Sequence, residues 1–306
     1  MIRLHPLLFT HCSLLIFVYH IPSFIHIYGK GVIENPNLEK VSAYLKSILP
    51  GSVIDLRTDF ISYYLTSLDP AKKDKEIDSL ARRLAEIRVL NPTKRELNPE
   101  PLYAEIEYEK KKILNPSSTK SIGVFYDGFE LQNIYRDLLI PPHPPLEKGG
   151  RGDFSFPHIH IIFTNQLFTT WEDDDRRYHT RASIYGFPSI ISTSGIVEAP
   201  AKPREFYLLK QQYGIVGRDD LAIAEFKKKF KGRFIDYNDP RMTEVCKGYT
   251  AQALFFHITG EPFCEDKGCR LFNAHWQEEL IYSQLKSPYE FCEAHTDMMK
   301  NLSCHE

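Results

Sequence analysis

Apolar positions along the chain follow two periods, and their alternation predicts an α/β fold. Phe24–Tyr28 (FIHIY) reads as a first strand. Leu38, Val41, Leu45 and Leu49 then recur at helical spacing on one face, and Pro50-Gly51 ends that helix. Ser52–Leu56 reads as a second strand, so the chain opens β-α-β, as mixed or parallel sheets do. Lys72–Val89 has the stripe of a charged amphipathic helix. Residues 91–118 are polar and Pro-rich and show no period. Ser121–Tyr126 reads as a strand and Glu130–Leu139 as a helical turn or two.

The second half is more regular. His158–Phe163 alternates as a strand, which puts His158 and His160 on one face. Thr169–Arg181 is a charged excursion whose acidic run, Glu172–Asp175, lacks the glycine and terminal glutamate of a calcium loop. It reads as a solvent-facing hairpin end with internal ion pairs, and His179 lies in it. Ala182–Tyr185 and Ser189–Thr193 read as short strands, and Asp219–Phe230 as a helix with one basic face. Arg241–Thr259 reads as a longer helix, with Val245, Tyr249, Leu254 and His257 on or beside one side. Gly260 stands where a C-cap glycine belongs.

Composition narrows the class. The chain has 306 residues, 42% hydrophobic and 25% charged, within the range of globular domains. Its net charge of −2 gives no electrostatic footprint for nucleic acid or an anionic membrane. Leu7–Val18 is apolar but too short to span a bilayer, and no small-x-small cleavage site follows it. Residues 1–24 therefore read as an apolar, signal-like extension, and 25–306 as one α/β domain. Residues 141–154 (PPHPPLEKGGRGDF) offer little to bury and read as an exposed insertion.

The cysteines change the picture most. Five of the six lie in the last 61 positions, whereas a disulfide framework spreads over a small secreted domain. Cys264-x4-Cys269 is followed after twenty-two residues by Cys292-x2-His295. Two close pairs of soft ligands joined by a longer segment are the pattern of structural zinc. Gly268 stands where a turn before Cys269 needs backbone freedom, and the helical pattern of 276–285 brings the second pair back to the first. Unrelated buried thiols and disulfides of an exported protein are the competing readings. Cys246 reads as a core residue of its helix, and Cys304 falls in the C-terminal tail.

With these residues in view, ALFFHITGEPFCEDKGCRL (253–271) resembles the end of the archaemetzincin signature. Archaemetzincins are zinc metallopeptidases of the metzincin clan. Their signature runs His-Glu-x2-His-x2-Gly-x2-His-Cys-x4-Cys-x-Met, with a second cysteine pair downstream. His257 falls on the second histidine, Gly260 on the glycine, and Cys264 and Cys269 on the first cysteine pair. Cys292 falls on the third cysteine, His295 replaces the fourth, and Leu271 replaces the methionine. The resemblance implies a metzincin-like mixed twisted sheet with helices, closed by a zinc knuckle at 264–295.

The same alignment puts Ala253 on the first histidine, Leu254 on the catalytic glutamate and Phe263 on the third histidine. A metzincin site needs three imidazoles on zinc and a carboxylate to take a proton from the bound water. His257 alone remains of those four, so it is the one catalytic candidate the motif leaves. His275 and Glu278, one helical turn apart in NAHWQEE (273–279), could join His257 in a different site. Two functions follow. One is an archaemetzincin-like metallopeptidase with an unrecognised ligand set. The other is a non-catalytic scaffold that binds peptides or partner proteins in the old cleft. One structural zinc, held by Cys264, Cys269, Cys292 and His295, is expected in both, and a second, catalytic zinc only in the first. Reduced thiols imply a cytoplasmic protein.

Overall fold

The computed structural model describes residues 21–31, 35–116, 123–139, 158–216 and 228–303. The insertion at 141–154, most of the 219–230 helix, the extension up to residue 20 and Cys304 lie outside the described residues.

The architecture is mixed α/β, as expected from the alternating pattern. Strands β1 (Phe24–Lys30), β2 (Val53–Thr58), β4 (His158–Thr164) and β8 (Ser189–Ser192) run parallel, and β7 (Ser183–Ile184) is antiparallel to β8. They form a five-stranded sheet of order β2-β1-β4-β8-β7, with β7 at the edge. A smaller sheet, β3-β5-β6, joins β3 (Phe125–Asp127) to the hairpin of β5 (Leu167–Glu172) and β6 (Arg177–Arg181). That hairpin is the charged excursion of the sequence. Its end is tied by Arg181–Glu172 and Arg177–Asp175 pairs and by His179 on Asp175 at 2.7 Å.

Strand alternation sorts the two faces of the main sheet. Ile25, Ile27, Ile159, Ile161 and Phe163 pack against helix α1 (Leu38–Ile48) and the long helix α8 (Met242–Thr259). Tyr28, Ile162 and Ile190 face α2 (Phe60–Thr66), α3 (Pro70–Glu86) and α5 (Gly128–Leu139). The helix ends are capped, and at Gly260 as the sequence suggests. Asn37 accepts from Lys40 N at the start of α1, and Asp69 caps α3 with Pro70 at its first position. Gly260 ends α8 at φ +79, with its N–H on Phe256 O at 2.8 Å.

Three expectations are corrected. The helix expected over 72–89 spans Pro70–Glu86, because Arg88 and Val89 leave it to pair with β3; Val89 N donates to Phe125 O at 2.8 Å. Residues 91–118 contain a full helix, α4 (Tyr103–Leu114). Its inward face carries Glu109 and Lys112 beside Ile113, so it shows no apolar stripe. Glu109 is fully buried and accepts from Arg88 Nε at 2.8 Å and from Tyr126 Oη at 2.8 Å. Paired burial of charge replaces hydrophobic burial there. The turn or two expected at 130–139 is the twelve-residue α5.

Two shorter helices, α6 (Thr193–Glu198) and α7 (Arg204–Val216), lead from β8 toward α8. After α8 the chain forms α9 (Gln277–Ile281), a π turn over Tyr282–Lys286 and α10 (Glu293–Ser303). Among the described residues, no helix is long and apolar enough to cross a membrane.

Candidate metal centre and cleft

Beyond Gly260 the chain doubles back on α8. Cys264 N donates to Leu271 O at 3.0 Å, and Cys269 N to Asp266 O at 3.0 Å, which closes a tight loop between the first two cysteines. Asp266 also accepts from Gly268 N at 2.8 Å and from Tyr289 Oη at 2.9 Å. At Gly268 the constraint is close approach rather than backbone freedom: a Cβ would stand 2.4 Å from Oη of the exposed Tyr289, whose ring would have to swing aside. Arg270 N donates to Glu290 O at 2.7 Å, and this bond brings the second pair alongside the first. Cys292 immediately precedes α10 and His295 lies in its first turn, so the x2 spacing aims both side chains the same way.

The four donor atoms of Cys264, Cys269, Cys292 and His295 all lie within 4.8 Å of one another. Cys264 and Cys292 Sγ are 3.8 Å apart, Cys269 Sγ is 3.7 Å from His295 Nδ1, and Cys292 Sγ is 3.0 Å from the same nitrogen. Tetrahedral zinc, with Zn–S about 2.3 Å and Zn–N about 2.0–2.1 Å, sets S···S at about 3.8 Å and S···N at about 3.5 Å. The spacing therefore fits a metal such as zinc. It does not fit a disulfide, whose sulfurs stand at about 2.05 Å, and all four described cysteines are free thiols. Burial pushes the Cys269 thiol up to about 12 and raises Cys264, while it lowers His295. A metal entering this set must displace thiol protons. Cys246, by contrast, is fully buried in the main core, as the sequence suggested.

The centre rests on its own small core. Phe255 of α8 meets the His295 ring edge-on at 5.2 Å and Phe291 at 5.7 Å, beside Leu271 and the buried Cys269.

The motif residues divide between core and cleft. Ala253 and Leu254 are 0% exposed and belong to the core between α8 and the sheet. Phe263 lines a cleft of about 430 Å³ beside the edge strand β7, together with Tyr249, Gln252 and Phe256 of α8. There it packs edge-on against Tyr185 at 5.8 Å, and Tyr185 Oη donates to Gln252 Oε1 at 2.5 Å. His257 is half-buried and does not line this cleft. His275 does line it, whereas Glu278 is paired with Arg233 at 2.8 Å. Among the described residues, the cysteine–histidine set is the one group of three or more His, Cys, Asp or Glu side chains whose donor atoms converge; His257, His275 and Glu278 are not brought together in this way.

One polar cluster escaped the sequence reading. His26 and Tyr28 of β1 stand beside His158 and His160 of β4 and Asp55 and Arg57 of β2, all on one sheet face. Asp55 Oδ2 is 3.3 Å from His26 Nδ1, and His26 Nε2 is 2.9 Å from His158 Nδ1. Tyr28 Oη is 2.9 Å from His160 Nδ1, and Arg57 donates to both Tyr28 Oη and Asp55. Burial lowers His26 and brings His160 down to about 3, helped by the neighbouring cations. The alternation in FIHIY and HIHII contained half of this, but the pairing of β1 with β4 could not be read from either segment alone.

No curated protein matches this chain. Among solved structures, the crystal structure of archaemetzincin from Methanopyrus kandleri is similar at 12% identity and a TM-score of 0.40, over 95% of this chain and 99% of that one. A family model described as "Probable metallopeptidase family (DUF6775)" matches residues 21–302, nearly the whole length, and the chain belongs to that family.

Proposed function

We propose that this member of the family is a zinc protein in which Cys264, Cys269, Cys292 and His295 hold one structural Zn²⁺. We further propose that the cleft beside α8 binds peptide or partner-protein segments without the metzincin reaction. In this reading residues 25–306 form one domain, which the metal closes by fastening 264–271 to the start of α10. Bound there, zinc supplies a cross-link, and the binding energy adds to folding energy. Reduced thiols at such a centre favour the cytoplasm.

The observation that carries the reading is the fate of the motif positions. Where the archaemetzincin resemblance calls for an imidazole and a general base on α8, Ala253 and Leu254 are packed into the core. Where it calls for a third imidazole, Phe263 forms an aromatic wall of the cleft with Tyr185 and Phe256. An aromatic cleft beside an antiparallel edge strand suits an extended peptide, whose backbone can add to the edge while a side chain enters the cleft.

The family's description as a metallopeptidase supports a second reading, in which a catalytic zinc is held by a set that includes His257 and His275. Metal content separates the two. The scaffold reading predicts one tightly held zinc per chain, unchanged in His257→Ala. A second zinc that His257→Ala removes, accompanied by peptide hydrolysis, would sink it.

A further inference from the structure

We infer that His158 and His160 form a second, open metal site, for a borderline divalent ion such as Ni²⁺ or Zn²⁺, on the sheet face away from α8. This goes beyond the proposed function, which involves neither residue.

The argument begins with strand geometry. Residues two apart on β4 point to the same face, and the two imidazoles lie 6.5 Å apart, centroid to centroid, with their planes within 23°. Both rings are held by their Nδ1 atoms, His158 by His26 and His160 by Tyr28. Their Nε2 atoms form no hydrogen bond with the described residues, and both side chains are half-buried rather than sealed. A ligand histidine ordinarily has its second nitrogen fixed by a carboxylate, carbonyl or similar partner, which sets ring orientation and basicity.

The supporting bonds set the tautomers. Asp55 takes the Nδ1 proton of His26, so His26 Nε2 is an acceptor and receives the Nδ1 proton of His158. His158 Nε2 is then a bare lone pair. At His160 the Tyr28 oxygen has a second lone pair beside the one that Arg57 uses, so it can accept from Nδ1 as readily as donate to it. That reversal frees His160 Nε2 for a metal and keeps both bonds to the Tyr28 oxygen, at the cost of the acceptor that the Tyr28 hydroxyl proton had on His160. A bound ion at about 2.0–2.1 Å from each nitrogen stands about 3.2 Å from each ring centroid, and a tetrahedral angle then sets the centroids about 5.2 Å apart. The rings must therefore close by more than about 1 Å from their 6.5 Å separation. Imidazole donors with open positions select Ni²⁺, Cu²⁺ and Zn²⁺ over Mg²⁺ or Ca²⁺. Two protein ligands make this site weaker than the cysteine centre, so its ion is exchangeable.

The test is equilibrium dialysis of the zinc-loaded full chain against Ni²⁺ at pH 7.5. One exchangeable Ni²⁺ per chain is expected beyond the zinc, with at least tenfold weaker binding in His158→Ala/His160→Ala. His26→Gln, which removes only the positioning residue, should weaken binding roughly 10–100-fold. Absence of Ni²⁺ binding in the wild type, or unchanged binding in the double variant, overturns the site. Should the double variant misfold, diethyl pyrocarbonate modification of wild-type protein, mapped by peptide mass, reads the same question. His158 and His160 must be protected by Ni²⁺, and equal modification with and without the ion refutes the proposal.

Discussion

Replacing Cys264 by serine removes one of the four converging donors. Serine is a poor zinc ligand beside thiolate, so the variant holds the metal with three groups at best. Structural zinc contributes about 10–16 kcal/mol of apparent binding in small domains. Shared over four ligands, that is about 3 kcal/mol for each. The loss falls on 264–271 and the start of α10, whose small core is Phe255, Cys269, Leu271 and Phe291. Helix α9 between them is anchored separately, with Leu280 and Ile281 in the main core and Gln277 donating to Ile196 O at 2.8 Å. None of the four ligands belongs to the sheet core around Ile25, Ile161 and Ile191. With a factor of ten for every 1.4 kcal/mol, amide exchange across 264–271 and the start of α10 should accelerate about a hundredfold in Cys264→Ser, while β1, β4 and α9 keep their protection. Hydrogen–deuterium exchange read by mass spectrometry is the assay, with chelator-treated wild type as the parallel sample. Unchanged exchange over 264–271 and the start of α10 in both samples would refute the view that a metal holds these segments.

Glu109→Ala should cost about 3–5 kcal/mol, because it strands Arg88 and Tyr126 in the interior; the urea midpoint measures this, and a loss below about 1 kcal/mol would contradict the network. Stability should also fall with acid before the carboxylates titrate. Burial depresses His160 to about 3 and lowers His26, so the unfolded chain binds protons that the folded one does not, and stability present above about pH 6.5 is lost progressively below it. Denaturation at pH 7 and pH 5 checks this, and His160→Gln, which keeps an acceptor for Tyr28, should show a shallower fall. Equal slopes in the two proteins would refute it. His257→Ala should leave zinc content unchanged, as elemental analysis would show.

What could be read from the sequence follows from what local pattern encodes. The β1-α1-β2 opening, β4 and α8 were legible because apolar residues recur at strand or helix spacing within each, and Gly260 because a left-handed C-cap favours glycine. The candidate metal cluster was legible because chelation fixes both residue type and spacing, and the structure brings together the four residues the spacing named. Helix α4 was not legible, since Glu109 and Lys112 face inward and their partners Arg88 and Tyr126 arrive from distant segments. The His26–His158–His160 cluster failed for the same reason, being made by strands about 130 residues apart that carry no shared motif. Gly268 was placed at the right position for the wrong reason, because Tyr289 approaches from twenty-one residues downstream.

In the proposed function, one structural zinc at Cys264, Cys269, Cys292 and His295 organises the C-terminal region. Elemental analysis of protein purified without added metal and dialysed to constant content tests it most directly. One zinc per chain is expected, lost in Cys264→Ser/Cys292→Ser and retained in His257→Ala. A value near zero in well-folded protein, or a retained second zinc that depends on His257, would contradict it.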